Sequence, residues 1–321
     1  MNKRALKLVV MIPSYNEEKT LPLVIKAIPK RIPGISQIKI LVINDGSTDD
    51  TEKVTRKLKV YIVSHTQNQG LGVAFRNGLS KALDLGADVI VNIDADMQFN
   101  PKDIPFLVKP ILEKKADMVT ASRFYNKKVI PKNIPLAKII GNKGFTKMVS
   151  LLTKKKFTDT QCGFRAYSKE AALNLNVFNQ FTYTQEVFIA LVNKGMKIVE
   201  IPIKVKYFKD RKAKISASLT HYGIQALMIV LRTFRDYQPL TFFGLPGLII
   251  FALGFLMAGF SLIYWAATKT TTPVRMYFWV GSFLLIFGFL IVLLALIADM
   301  FKRIRRNQEE ILYKLKTNNK K

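Results

Sequence analysis

The sequence predicts a mostly parallel α/β sheet covered on both faces, followed by a two-helix transmembrane hairpin. Three observations predict it. Short apolar, β-rich runs alternate with helix-period segments through residues 1–121. Polar motifs rich in glycine and carboxylates fall just after those runs. Two stretches near the C-terminus, Leu240–Thr268 and Met276–Ala298, contain no charged residue, and each exceeds the ~20 residues that span a ~30 Å hydrocarbon core.

The strand runs are Leu6–Ile12, Ile38–Ile43, Val60–Val63, Asp88–Ile93 and Asp117–Ala121. Helix patterns cover Lys19–Ile28, Thr48–Leu58, Leu71–Leu85 and Pro101–Lys114. Near-continuous apolar strands belong to a sheet buried on both sides. Such sheets bind ligands at the carboxyl ends of their strands. The motifs there are Pro13-Ser14-Tyr15-Asn16-Glu17-Glu18, Asn44-Asp45-Gly46-Ser47-Thr48-Asp49-Asp50, Asn68-Gln69-Gly70-Leu71-Gly72 and Asp94-Ala95-Asp96-Met97-Gln98. Each alone reads as turn or capping chemistry; four on one sheet edge read as a binding site.

Asp94 and Asp96 carry the sharpest chemistry. Carboxylates two residues apart at a strand end face the same way, and they repel unless a cation or proton lies between them. With the Gln98 carbonyl they form an oxygen-rich set suited to Mg²⁺ or Mn²⁺ that bridges substrate phosphates.

Composition narrows the class. Of 321 residues, 50 are Lys or Arg and 22 Asp or Glu, a formal charge of +28, and 49% are hydrophobic. A disordered polybasic chain is poor in apolar residues. The single Cys162 excludes a disulfide scaffold, and His65 and His221 are too few for a His-rich metal site. Residues 1–103 hold 15 basic and 11 acidic side chains, whereas residues 104–239 hold 25 and 8. The excess therefore adjoins the membrane, where each basic residue near anionic lipid contributes about 1 kcal/mol.

Aromatic residues Phe242, Phe243, Tyr264, Trp265, Tyr277 and Trp279 cluster near the span ends, as interfacial belts do. Both flanks of the hairpin are basic, which places the bulk domain and both termini in the cytoplasm. Met1–Lys7 precedes only five apolar residues before Pro13, so no signal peptide is expected. Ser218–Tyr237 has helix-period apolar residues and reads as an interfacial or packed helix. The expected organisation is a catalytic-type domain over 1–215, an amphipathic juxtamembrane segment over 216–239, two spans within 240–300 (240–268 and 276–300), and a basic tail over 301–321.

At IPSYNEE, NDGSTDDT, NQGLGVAFRNG, NIDADMQFNP, ASRF and DTQCGFRAYSKEA, in that order over residues 6–236, the chain resembles a family 2 glycosyltransferase with the GT-A fold. Within that family it is similar to dolichol-phosphate mannose synthase and related polyprenyl-phosphate glycosyltransferases. The resemblance implies a GT-A, Rossmann-like nucleotide-sugar-binding domain. It places Pro13, Tyr15, Glu17, Asp45 and Asp94 in the nucleotide-sugar pocket, and Asp94, Asp96 and Gln98 on the metal. It assigns Arg123, Lys138, Arg211 and Lys214 to the acceptor phosphate, with Asp96, Arg123 and Arg211 as catalytic groups. Three positions depart from the pattern: Asn44 replaces a frequent Asp, Gly141-Asn142 stands where Ser-Arg is frequent, and Lys138 stands where Arg is common.

The reaction implied is inverting transfer of a hexose, mannose first, from GDP-mannose or UDP-glucose to polyprenyl or dolichyl phosphate. N-acetylhexosamine donors are a further alternative. A lipid phosphate needs no catalytic base, since with a second pKa of ~6 it is mostly dianionic near neutrality. Glu186 therefore reads as a helix N-terminal or Arg/Lys-pairing carboxylate, and Cys162 as a packing thiol. Expected partners are the nucleotide sugar, the lipid phosphate and anionic membrane lipids, with no nucleic acid; the resemblance also admits a homo-oligomer. A processive polysaccharide synthase is disfavoured, because the only tryptophans, Trp265 and Trp279, lie in the spans and no Gln-x-x-Arg-Trp segment exists. A membrane-tethered nucleotide-sugar sensor would bind without turnover.

Overall fold

The computed structural model describes residues 5–131, 134–206 and 219–318. The chain divides into two units, Met1–Val230 with Leu312–Lys321, and Leu231–Ile311.

In the first unit β1 (Leu6–Ser14), β2 (Ile35–Asn44), β3 (Tyr61–Ser64) and β4 (Val89–Asn92) alternate with α1 (Leu21–Ala27), α2 (Thr51–Lys57) and α3 (Leu71–Asp84). A 3-10 turn at Pro101–Asp103 opens α4 (Ile104–Leu112), which leads to β5 (Met118–Ser122). Next in the chain come α5 (Leu136–Thr153), β6 (Arg165–Ser168), α6 (Lys169–Asn174), α7 (Thr184–Asn193) and β7 (Ile198–Pro202). The seven strands are ordered β3-β2-β1-β4-β6-β5-β7.

The alternation read from the sequence holds through β5, and the sheet is mostly parallel. The exception is β6, which runs antiparallel to β4 and to β5, with Arg165 opposite both Asn92 and Thr120. Arg-Ala-Tyr-Ser is too short and too polar to signal a strand: Ala166 joins the core, while Arg165 and Tyr167 face the other side. The reversal has a consequence for the site. The residues just before β6 arrive at the edge where the other strands end.

One face of the sheet packs Val10, Ile12, Val91 and Val119 against Leu21 and Val24 of α1 and Leu107 and Val108 of α4. Burying each such side chain contributes about 1.5–3 kcal/mol. On the other face α3 comes in at Gly78, where a Cβ would stand 2.6 Å from the Met11 sulfur and 2.9 Å from Ile43 Cδ1. Phe75 of α3 stacks on Tyr183, with centroids 3.7 Å apart. Tyr183 and Phe188 in turn flank the fully buried Arg165 guanidinium at 5.6 and 4.8 Å, which offsets part of the cost of burying that charge.

α8 (Leu219–Tyr237) belongs partly to each unit. Along it Ile224, Leu227, Met228 and Leu231 are exposed, while Ala226, Ile229, Val230 and Thr233 are buried. In the second unit α9 (Leu245–Thr268), preceded by a π turn at Leu240–Gly244, pairs with α10 (Arg275–Asn318), whose residues from Leu312 onward belong to the first unit. Gly247, Gly254, Ala258 and Ser261 are buried on α9, as are Gly281, Gly288 and Ala295 on α10. A Cβ on Gly254 would lie 2.5 Å from the Leu285 nitrogen, and one on Gly288 2.4 Å from the Phe251 nitrogen. The two backbones therefore touch, as small-residue helix pairs in membranes do. Leu253, Ile263, Phe283 and Ile286 point outward. Both helices are long and apolar enough to cross a membrane. The basic segment expected as a separate tail continues α10 as helix through Asn318.

Candidate active site

Three strand-end loops are laced together by short polar side chains. Asn16, with φ of 55°, accepts the Thr48 N–H on Oδ1 at 2.8 Å and donates its own N–H to Ser47 Oγ at 3.0 Å. The Glu17 N–H donates to Thr51 Oγ1 at 2.8 Å. This joins the loop after β1 to the loop after β2, and it leaves Glu17 buried and Tyr15 half-buried.

Asp45 is the hub of the third connection. Its carboxylate accepts the N–H groups of Gln69 and Gly70 at 2.9 and 3.0 Å, and lies 2.7 Å from Nδ1 of His65. Asn77 of α3 lies 3.0 Å from the other His65 nitrogen. The Asp45 and His65 side chains are only 7% and 5% exposed. The glycines at the start of α3 serve close approach: a Cβ on Gly72 would lie 1.9 Å from the Asn179 carbonyl oxygen, and the Gly72 N–H donates to the Gln180 carbonyl at 2.7 Å. Neither His65 nor the loop at Asn179–Gln180 was legible as part of this edge; an isolated histidine and a polar loop carry no spacing signal.

β4 ends at Asn92, and the carboxylate motif forms the turn beyond it. Asp96 Oδ1 accepts the Gln98 N–H at 3.0 Å, with Met97 at φ of 59°. Strained conformations of this kind persist where the surroundings enforce them. Burial, and next the Asp96 carboxylate, push the Asp94 carboxyl up to about 7; Arg123 and Arg165 pull the other way, and Glu17 adds to the rise. The two carboxylates thus share one locality, as their spacing suggested. A divalent cation would relieve that repulsion, and the oxygen donors of Asp94, Asp96 and Gln98 suit Mg²⁺ or Mn²⁺.

The segment before β6 completes the edge. Asn92 donates its amide to the Gly163 carbonyl at 2.9 Å and to the Tyr183 hydroxyl at 2.8 Å. A Cβ on Gly163 would stand 3.1 Å from both Asp94 carboxylate oxygens. Four residues earlier, Asp159 accepts Arg123 Nε at 2.6 Å and Nη2 at 2.9 Å. The Asn142 amide of α5 donates to Asp159 at 2.7 Å. Burial opposes the charge on Asp159, but Arg123 and Asn142 overcome it and hold the carboxyl below its usual 3.8. Glu200 of β7 accepts the N–H groups of Thr158 and Asp159 at 2.8 and 2.9 Å. The residue that departs from the family pattern, Asn142, is therefore a partner of the Arg123–Asp159 pair, and Lys138 sits one helical turn before it on α5.

Of the expected site residues, Pro13, Tyr15, Glu17, Asp45, Asp94, Asp96, Gln98 and Arg123 lie at or beside this edge, and Lys138 lies near the start of α5. Arg211 and Lys214 lie outside the described residues. Glu186, buried in the first turn of α7, accepts the Phe178 N–H at 3.2 Å and the Asn179 amide at 2.8 Å. It fastens the loop that meets Gly70 and Gly72. Burial pushes the Cys162 thiol up to about 12, which keeps it inert as a nucleophile.

The profile described as glycosyl transferase family 2 matches residues 9–175, just over half of the chain. The chain belongs to that family. It is 34% identical over 244 residues to a UDP-N-acetylglucosamine–dolichyl-phosphate N-acetylglucosaminyltransferase of Methanococcus voltae, covering 70% of this chain and 95% of that one. It is 28% identical to a polyprenol monophosphomannose synthase of Mycolicibacterium smegmatis, covering 64% and 79%. A dolichyl-phosphate β-glucosyltransferase of Trichomonas vaginalis is 27% identical over 65% of this chain and 69% of its own. Among solved structures, glucosyl-3-phosphoglycerate synthase of Mycobacterium tuberculosis, crystallised with Mn²⁺ and UDP, superposes with a TM-score of 0.56 at 21% identity, covering 73% of this chain and 81% of that one. That likeness establishes the GT-A fold.

Proposed function

We propose that this glycosyltransferase moves a hexose from a nucleotide sugar to a polyprenyl or dolichyl phosphate at the cytoplasmic face of a membrane. The observation that carries the reading is the pairing, on one sheet edge, of a carboxylate turn with an arginine: Gly163 abuts the Asp94 carboxylate, and Asp159, four residues before it, orients the Arg123 guanidinium. One pole suits a metal-bound diphosphate, the other an acceptor phosphate.

Asp94, Asp96 and Gln98 would hold Mg²⁺ or Mn²⁺. That ion supplies Lewis-acid neutralisation of the departing diphosphate. Pro13, Tyr15, Glu17 and Asp45 line the nucleotide side. Arg123, with Lys138 and with Arg211 and Lys214 of the basic segment, orients the lipid phosphate, and an arginine does so bidentately without removing its nucleophilicity. The phosphate oxygen, already anionic, forms the bond to the anomeric carbon as the bond to the diphosphate breaks. A single displacement inverts the centre, so an α-linked donor gives a β-linked lipid-phosphate sugar.

The membrane assignment draws on the outward-facing apolar side chains of α9 and α10 and on α5. Leu136, Ile140 and Leu151 of α5 are 62–70% exposed, and Lys143 and Lys147 on the same helix are exposed too. Leucines and lysines on one helix surface suit the interface of an anionic bilayer. The basic flanks support a topology with both termini in the cytoplasm.

Mannose from GDP-mannose is the first reading of the donor. N-acetylglucosamine from UDP-N-acetylglucosamine is the second, favoured by the 34% identical relative from Methanococcus voltae, and glucose from UDP-glucose is the third. The test supplies the full-length protein in membranes with polyprenyl phosphate, Mn²⁺ or Mg²⁺, and each labelled donor in turn. One donor should give a butanol-extractable, lipid-linked product. Nucleotide binding without product from any donor would overturn the reading in favour of a sensor.

A further inference from the structure

The end of α10 packs within the first unit, on the element that leads to the donor-side loop. The Tyr313 hydroxyl donates to Glu170 of α6 at 3.1 Å. One turn on, the Lys316 ammonium reaches the Leu175 carbonyl at 3.1 Å, Asn176 Oδ1 at 2.8 Å and the Leu173 carbonyl at 3.4 Å. These acceptors surround the C-terminal end of α6. Helix ends leave carbonyls without intrahelical partners, and a cation there is favoured by the helix dipole. Lys194, just past the end of α7, donates to the adjacent Asn174 carbonyl at 2.6 Å, so two lysines grip this turn.

The chain beyond that turn gives the grip a use. Residues 177–182 run directly from it to the nucleotide side: Glu186 holds Phe178 and Asn179, and the Gln180 carbonyl accepts the Gly72 N–H at 2.7 Å. In the same glycine loop, the Gly70 N–H donates to Asp45. A second route runs through α3. A cavity of about 340 Å³ is bounded by Asn77, Ser80, Asn176, Leu312 and Lys316, and Asn77 contacts the His65 that contacts Asp45.

We infer that Tyr313 and Lys316 are positioning residues: the last turns of α10 hold residues 175–182 in the conformation that shapes the Gly70–Gly72 side of the nucleotide site. This rests on the nucleotide-sugar reading above. The C-terminal segment is then a working part of the catalytic unit as well as a source of basic charge. The substrate it serves is the donor, while the acceptor phosphate is met across the sheet edge at Arg123.

The test compares full-length wild type, Lys316→Met, Lys316→Arg and Tyr313→Phe in nanodiscs. Two readouts are taken: amide hydrogen exchange of residues 175–182 and 69–73, and separate KM values for nucleotide sugar and lipid phosphate. Lys316→Met should speed exchange in both segments and raise the donor KM about five- to tenfold, a loss on the scale of one charged hydrogen-bond group. The lipid KM should stay within about twofold, and Lys316→Arg should restore most of the loss by keeping the cation. Tyr313→Phe should move the same quantities less. Unchanged exchange in Lys316→Met would overturn the inference, and so would faster exchange with an unchanged donor KM. A wild type that turns over no nucleotide sugar would sink the functional reading instead, since the exchange comparison reads the strut independently.

Discussion

Arg123 and Asp159 meet edge to edge, with Nε and Nη2 of the guanidinium 2.6 and 2.9 Å from the two carboxylate oxygens. The Asp159 side chain is wholly buried and that of Arg123 is 14% exposed. The pair turns a long, flexible cation into a fixed one, which is what a bidentate phosphate ligand requires. Removing one partner of a buried pair leaves an uncompensated charge and costs about 3–5 kcal/mol. Asp159→Ala should therefore lower the melting temperature strongly. Asp159→Asn, which keeps shape and one acceptor, should melt nearer to wild type while raising the KM for lipid phosphate far more than that for nucleotide sugar. Thermal melts and two-substrate kinetics check both.

The same carboxylate makes a pH prediction. Its folded-state pKa is depressed below 3.8, so its stabilising contribution is fully present above the unfolded value and is lost as the pH falls through the folded one. The stability difference between wild type and Asp159→Asn should be flat from pH 7 to about pH 5 and shrink only below ~3.8. Melts over that range test it; a difference that already shrinks between pH 7 and 5 would contradict the assignment.

Gly163 fixes where Asp94 can lie. A Cβ there would come within 3.1 Å of both carboxylate oxygens, and Asn92 anchors the Gly163 carbonyl at 2.9 Å, so the loop cannot easily retreat. Gly163→Ala should displace the Asp94 carboxylate by a few tenths of an ångström. A misplacement of about 1 Å in a site can cost about a hundredfold in rate, so a shift of a few tenths should lower turnover by up to about tenfold with little change in melting temperature. Steady-state kinetics at saturating donor and acceptor reads this directly.

These sites also show what was legible in the sequence. The five strand runs through Ala121, the helices between them and the carboxylate turn were readable, because apolar period and strand-end polarity are local signals. β6 was not, since Arg165-Ala166-Tyr167-Ser168 takes its strand character from neighbours on both sides. Asp45, Asp94 and Arg123 were singled out through ordered motifs. Asn92, Asp159 and Gly163 stand inside the quoted motifs and His65 and Glu200 outside them, but the part all five play as keepers was not readable, because each acts through a contact 20 to 91 residues distant in the chain. Asn142 stood out as a departure from a pattern, and its bond to Asp159 supplies the physical reason a polar residue belongs there. The uncharged spans were plain from composition, but that α10 continues to Asn318 and ends on α6 emerges only from packing.

The hairpin offers a test of its own. Gly254, Gly281 and Gly288 lie where Cβ atoms would fall 2.4–2.6 Å from backbone nitrogens of the facing helix. No rotamer avoids such a contact, so the helices must part. Gly281→Leu or Gly288→Leu should loosen α9 from α10 and lower the yield of folded, membrane-extracted protein, whereas Gly259→Leu, with open space around its Cβ position, should be tolerated. Proteolysis and thermal melts in detergent distinguish the two groups, and equal behaviour of Gly259→Leu and Gly281→Leu would refute the close contact.

A metal held by Asp94, as proposed, would be linked to protons. Held up to about 7 by burial and by Asp96, the Asp94 carboxyl carries a substantial fraction of a proton at neutral pH in the metal-free protein. A bound divalent cation requires the ionised form, so loading should expel that proton. Mn²⁺ binding at pH 7 should release about half a proton per ion, rising toward one at pH 6 and falling toward zero at pH 8.5. Calorimetric titrations in buffers of differing ionisation enthalpy measure the release, with Asp94→Asn as the control that abolishes it. Apparent Mn²⁺ affinity should fall about tenfold per pH unit below 6 for the same reason. Affinity independent of pH between 5.5 and 8.5, together with no proton release, would show that Asp94 is not a ligand and would leave Asp96 and Gln98 to hold the ion without it.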